Sequence, residues 1–326
     1  MNHGRKKPAL WVPHLDGVPH RKLGNHHSLT GAQIYNRIEK ELSQLPKNET
    51  LTKSLCNPAR FSGILVMDGK YVKVKGFEQK IPLIYGIDYL THDIPYGGLF
   101  VAEDSPAFYS FFEGLRTTGY PLRMVVADDR SGLESALNNV FPLRPLQLCH
   151  THYLENIKKL LDLKSSPKEE YFFNSLNLHV FVEPRTKQQV ITGLKSVWER
   201  HAKRNRHLTN IILDIRDRID YLFYYLRRNN CPRTINLIES YNSHLQGRLK
   251  TIKGFQSFSS AQRWLNAYLI RRRTKELTDC NGKFRHLNQH ASLELTIQKQ
   301  AQWPEILTKL GIGKVKYYEK NSRKKH

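Results

Sequence analysis

Two short apolar runs in this chain each stop on an aspartate: Ile64-Leu-Val-Met-Asp68 and Met124-Val-Val-Ala-Asp128. Such runs are too short for helices and do not alternate with polar residues, so they predict strands buried on both faces. A carboxylate directly behind a buried run cannot stay ionised in a core and has to reach solvent or a cation. The two acids can therefore project from neighbouring strands to one edge of a sheet. The neighbouring segments complete the pattern. Tyr71-Val-Lys-Val-Lys75 continues the first strand with alternation, and 80–87 and 98–102 read as two more, which together suggest an antiparallel meander. Residues 105–118 predict a helix with Phe108, Phe111, Phe112 and Leu115 on one face. Residues 131–140 predict another on Leu133, Ala136, Leu137 and Val140, and 145–149 a fifth strand. The order βββαβαβ makes the fold α/β with a mixed sheet.

Charge narrows the partner. Lys and Arg number 52 against 29 Asp and Glu, a formal charge of +23. Residues 1–60 carry +6, 61–152 carry −2 and 153–326 carry +19. A nearly neutral middle between basic flanks suits a chemical core between polyanion-binding arms, and the partner expected is nucleic acid. The plainer reading is a basic protein kept soluble by its charge. No uncharged apolar run is long enough for a membrane helix, and no apolar stretch follows the basic N-terminal residues. Four cysteines, none in a CxxC pair, argue against a disulfide framework and a zinc ribbon. The expected setting is a reducing cytosol, with neither membrane insertion nor secretion.

Outside the strands, helical periodicity dominates. Residues 1–45 read as a short helix, a tight turn and a second helix, with Thr30 and Gln33 spaced as a capping box and Ile34, Tyr35, Ile38 and Leu42 as a buried stripe. Gln33, Asn36, Arg37 and Lys40 are left outward, residue types that read base edges or phosphates in a major groove. This is a helix-turn-helix unit or an ordinary amphipathic hairpin. Residues 46–60 read as a polar linker. The block 153–230 reads as an all-helical insertion, with helices over 154–163, 186–201 and 208–226. In 231–275 two more helices follow, one capped by Thr234 and one over 259–273 on Trp264, Leu265, Tyr268 and Leu269. The remainder, 276–326, reads as a basic extension whose end, from 314, is a weakly ordered tail.

Asp68 and Asp128 are either strand-end turn residues or a pair that a hard divalent cation such as Mg²⁺ would reconcile. A third acid is needed for a two-metal site. Glu239 is best placed, on the polar side of a helix opposite Ile238, Tyr241 and Leu245. It is the only acid between Arg233 and Lys275, a stretch with nine Lys or Arg, so it serves either a local ion pair or a site.

Four segments carry a resemblance: Leu65-Val-Met-Asp-Gly-Lys-Tyr-Val, Val125-Val-Ala-Asp-Asp-Arg-Ser-Gly-Leu133 with Val140-Phe-Pro142, Gln147-Leu-Cys-His-Thr-His152, and Asn236-Leu-Ile-Glu-Ser-Tyr-Asn242. In that order they resemble the motifs of DDE transposases of the Mutator-like superfamily and its bacterial insertion-sequence relatives, over roughly residues 60–275. The resemblance implies a ribonuclease-H-like core in 61–152 and 231–275, interrupted by the helical insertion. It implies that Asp68, Asp128 and Glu239 hold two Mg²⁺ ions, for which Mn²⁺ can substitute. The implied reactions are cleavage of DNA at element ends and strand transfer into target DNA, by a homo-oligomer acting in the cytoplasm on the nucleoid. Cys149 and His152 match the family's Cys-x-x-His pair, with a structural or DNA-contacting role beside the site.

The match departs at Asp129, where relatives often have Gly; Asp128 is preferred because it directly ends the strand. No Cys- and His-rich module precedes the core. Cys149 and His152 make only half a zinc site, and zinc is not expected. Arg271, Arg272 and Arg273 are expected to grip the DNA backbone. The rival readings are a transposase-derived DNA-binding protein without catalysis and a ribonuclease-H-like nuclease without strand transfer.

Overall fold

The computed structural model describes residues 9–318 except 183 and 185. The chain opens with α1 (Trp11–Leu15), α2 (His20–His27) and α3 (Gly31–Ser43). The capping box forms: the Gln33 amide donates to Thr30 Oγ1 at 3.2 Å and the Thr30 amide to Gln33 Oε1 at 2.9 Å. Between α2 and α3, Leu29 folds back to donate to the Gly24 carbonyl at 3.0 Å. A Cβ at Gly24 would stand 2.5 Å from the Leu29 oxygen, so only glycine admits a turn this tight. Ile34, Ile38 and Leu42 are buried, whereas Tyr35 stays exposed.

Residues 46–60, expected as a linker, instead hold α4 (Asn48–Leu55), with Asn48, Leu51, Thr52 and Leu55 buried. The polar residues that suggested a linker are inside because they serve as hydrogen-bonding partners there.

Next come β1 (Ile64–Val72), β2 (Ile81–Asp88), β3 (Tyr96–Leu99), α5 (Ser105–Thr117), β4 (Met124–Ala127), α6 (Leu133–Val140) and β5 (Leu146–Leu148). The five strands make one sheet in the order β3-β2-β1-β4-β5. Strands β1, β2 and β3 pair antiparallel, while β4 runs parallel to β1 and β5 parallel to β4, so the fold is a mixed α/β sheet. Helices α5 and α6 pack on each other, and α5 also packs on β3. At the end of β2, Asp88 is fully buried yet well supplied with donors. The Ser62 amide and hydroxyl, the Tyr120 hydroxyl and the Thr91 amide and hydroxyl reach it at 2.8–3.1 Å. That carboxylate pins the entry of β1.

After the sheet the chain turns helical: α7 (His150–Leu160), α8 (Pro167–Leu176), α9 (Lys187–Val197), α10 (Arg206–Asp217), α11 (Ile219–Leu222), α12 (Asn236–Ile252) and α13 (Phe258–Thr274). Among the described residues of 153–230 there is no strand. The helix expected over 186–201 ends at Val197 and widens into a π turn over 198–202. Helix α12 lies on β1, and α13 packs on β3, α3 and α4. The C-terminal stretch is not a loose extension. It adds α14 (Ser292–Thr296) and α15 (Glu305–Lys309), buries Leu293, Ile297 and Leu307, and seats Tyr317 under the Arg60 guanidinium at 4.2 Å. The rest of the expected tail, 319–326, lies outside the described residues.

Arg273, expected on the DNA-binding surface, is fully buried. It forms a bidentate pair with Asp93 at 2.7 and 2.9 Å and donates to Asn48 Oδ1 at 3.0 Å and Thr52 Oγ1 at 2.8 Å. Asp93 accepts in addition from Ser292 and Thr296. Three consecutive helical residues point about 100° apart, so Arg271 to Arg273 cannot share one face. Removing one partner of a buried pair strands the other charge. Arg273→Ala should therefore cost about 3–5 kcal/mol in urea unfolding, and Asp93→Ala in the same chain should restore part of the loss.

Candidate active site

Strands β1 and β4 pair in parallel with Ile64, Leu65 and Val66 opposite Met124, Val125 and Val126. Two residues beyond the last pair stand Asp68 and Asp128, at the same level and on the same side of neighbouring strands. Adjacent strands lie about 4.8 Å apart, close enough for both carboxylates to share one edge. Asp68 accepts from Asn242 Nδ2 at 2.8 Å, and Asn242 Oδ1 accepts from the Tyr85 hydroxyl at 2.9 Å. Burial pushes the Asp68 carboxyl up to about 6; the charge of Glu103 adds to this, and the Gly69 amide, His152 and Arg130 oppose it. Asp128 accepts from the Asp129 amide at 2.8 Å and faces Arg130 Nε at 3.4 Å.

Glu239 stands in the first turn of α12, where the free amides favour a carboxylate. Its Oε1 lies 3.5 Å from His152 Nε2, and both side chains are partly exposed. The motif around Cys149 explains how these groups meet. The Cys149 amide donates to the Ala127 carbonyl at 2.8 Å, fixing the start of α7 beside the end of β4. The next amide, that of His150, donates to the Arg233 carbonyl at 2.9 Å and so ties in the approach to α12. His152, in the first turn of α7, then meets Glu239 and feels the charge of Asp128. Its pKa is pushed up to about 9, first by hydrogen bonding to Cys149 and then by the charges of Asp128 and Glu239, against the effect of burial.

The two aspartates of the Asp-Asp pair part company. Asp129 forms an ion pair with Arg218 at the start of α11, away from Asp68. Among the described residues no three of His, Cys, Asp and Glu already stand as a closed metal cluster. Asp68 and Asp128 are adjacent, and Glu239 is turned to His152. The chemistry of the donor set nevertheless suits a hard divalent cation, since Asp68 and Asp128 offer carboxylate oxygens at a polar edge.

Sequence reasoning missed Asn242, Tyr85, Glu103 and Arg130. Glu103 sits before α5 with its side chain only 5% exposed, accepts from the Tyr71 hydroxyl and faces Arg130 Nε at 3.9 Å. One signal was available, since Asn242 is three residues after Glu239 and therefore on the same side of α12.

Of the residues expected to touch DNA, Gln33, Asn36 and Lys40 are exposed on α3, and Arg37 is half-buried beside Glu41 at 3.3 Å. The arginine row expected on α13 does not form. Arg271 pairs with Asp16 at 2.6 Å, Arg272 lies over the Tyr241 ring at 4.3 Å, and Arg273 is inside.

The family model described as "Transposase, Mutator family" matches residues 60–277. The chain belongs to the Mutator family of transposases. Similar curated members of the family are the transposases for insertion sequence element IS256 in transposon Tn4001 from Staphylococcus aureus and from Enterococcus faecalis (strain ATCC 700802 / V583). Each is 26% identical over 178 residues, covering 52% of this chain and 43% of the relative. The match thus spans less than half the length of these transposases. Among solved structures, the Drosophila P element transposase strand transfer complex aligns over 81% of this chain and 92% of that one, at 10% identity and a TM-score of 0.36. Among the described residues of this Mutator-family chain, no helix is long and apolar enough to cross a membrane.

Because His152 gains its partners on folding, its contribution to stability is complete below its ordinary value of 6.5 and disappears as pH rises through about 9. In buffer with a chelator, the melting-temperature gap between wild type and His152→Gln should be largest just below pH 6.5 and close as pH is raised past about 9.

Proposed function

We propose that the chain is a DDE transposase whose site is built from Asp68, Asp128 and Glu239 on a ribonuclease-H-like core. The observation that carries this reading is the common level of Asp68 and Asp128 on adjacent parallel strands, joined to the helix of Glu239 by the Asn242 hydrogen bond. Asp128 rather than Asp129 is the second acid, because it stands level with Asp68 directly after β4, whereas Asp129 is turned to Arg218. The group these acids suit is Mg²⁺, two ions in all, with Mn²⁺ able to replace it; bound there it would supply charge neutralisation at the attacking and leaving oxygens of a phosphodiester. Asn242 holds the Asp68 carboxylate in place, and His152 holds Glu239. Burial raises Asp68, so its carboxylate gains from a cation nearby.

The substrate in this reading is double-stranded DNA, at the element's terminal repeats and at the target. The exposed face of α3, with Gln33, Asn36, Arg37 and Lys40, reads the repeat in the manner of a helix-turn-helix recognition helix. The basic C-terminal half supplies phosphate contacts from residues other than Arg271, Arg272 and Arg273, which have internal partners. Two ends must be handled together, which calls for a homo-oligomer, working in the cytoplasm on nucleoid DNA. The insertion at 153–230 interrupts the core before Glu239.

The test is a linear duplex carrying the element end, incubated with Mg²⁺ or Mn²⁺ and scored separately for nicks and joined product. Asp68→Asn, Asp128→Asn and Glu239→Gln should each abolish both products while duplex affinity persists, and Asp129→Asn should be far milder. Specific binding by wild type without either product would favour a DNA-binding protein. Nicks without joining would favour a nuclease.

A further inference from the structure

The acidic edge carries more negative charge than the three acids account for, and it already contains a cation. Glu103 is nearly enclosed, receives a hydrogen bond from Tyr71 and lies close enough to Asp68 to disfavour its ionised form. It comes this near because position 69 has no side chain: a Cβ there would stand 2.7 Å from Glu103 Oε1. Arg130, two residues past Asp128, spans the gap, with its Nε 3.4 Å from Asp128 and 3.9 Å from Glu103. A guanidinium cannot lose its charge, so it can leave a carboxylate only by being shared elsewhere or displaced.

We propose that Arg130 is the built-in counter-ion of the acidic edge, shared between Asp128 and Glu103, and that a divalent cation enters by exchange, leaving Arg130 wholly on Glu103. This rests on the reading of Asp68 and Asp128 as a cation site. Glu103 and Arg130 are positioning residues: one sets how tightly the other is held on Asp128, and thereby how much cation is needed to take its place. The exchange moves no covalent bond and no proton. It conserves charge compensation at Asp128, with the guanidinium replaced by the metal ion and retained a few ångströms away by the second carboxylate.

The two residues should act in opposite directions, which a purely structural role would not produce. The experiment follows Mn²⁺ binding to the full chain, without DNA, by loss of the free-ion electron paramagnetic resonance signal. Arg130→Gln removes the competitor and should lower the midpoint Mn²⁺ concentration on the order of tenfold. Glu103→Gln removes the alternative partner, confines Arg130 to Asp128 and should raise the midpoint. Gly69→Ala displaces the Glu103 carboxylate with every charge retained and should raise it too. Arg218→Gln, which alters a cation on Asp129 only, should leave the midpoint unchanged. Shifts of Arg130→Gln and Glu103→Gln in the same direction, or no shift in either, would overturn the exchange. If the double variant Asp68→Asn, Asp128→Asn binds Mn²⁺ as wild type does, the cation-site reading itself fails.

Discussion

Ile64, Leu65 and Val66 meet Met124, Val125 and Val126 side by side in parallel, and both strands are shut off from water along this stretch. Side chains on a strand alternate between faces, so a slip of one residue would send Asp128 to the side opposite Asp68. The close packing of these fully buried residues against the layers on both faces holds the register, and with it the alignment of the carboxylates. Everything else at the edge is attached to this pair. Asn242 brings α12 to Asp68, the Cys149 amide brings α7 to the end of β4, and the His150 amide brings in the segment leading to Glu239.

Acids gathered at an edge repel, and the structure answers with cations and donors at graded distances. Arg130 lies between Asp128 and Glu103, His152 between Asp128 and Glu239, and Arg218 takes Asp129 out of the group. Compare Asp93, whose charge is tolerated at full burial because a bidentate arginine and two hydroxyls satisfy it completely. Asp68 has one side-chain donor. The incompletely satisfied carboxylates are the ones at the edge, where the proposed chemistry would use them; Asp88 and Asp93, with several donors each, hold the scaffold.

What could be read from the residues was what local pattern encodes. Apolar runs ending in Asp68 and Asp128 announced two strands and their shared edge, and Thr30 with Gln33 announced the start of α3. Helix α4 was illegible because Asn48 and Thr52 look like surface residues until Arg273 arrives from more than two hundred positions away. The same partner hid the fate of Arg273, since no sequence window contains both. Glu103 escaped notice for another reason: it sits in an irregular stretch with no periodicity, and its proximity to Asp68 depends on the missing side chain at position 69. Site residues on regular elements were readable; those supplied by a crossing of distant segments were not.

Helix α3 is not tethered loosely. Arg263 of α13 grips Glu39 at 2.6 Å, and Arg271 and Lys275 hold Asp16 next to α1. The exposed row on α3 and the acidic edge are therefore linked through α13 by ion pairs as well as by packing. In the proposed reading, in which α3 holds the terminal repeat and the edge cuts, such a linkage works as a protractor as well as a ruler on a duplex that winds once in about 10.5 base pairs. Inserting about five base pairs between the recognised sequence and the bond to be cut would then turn that bond to the far side of the helix. Inserting a full turn would restore its facing but not its reach.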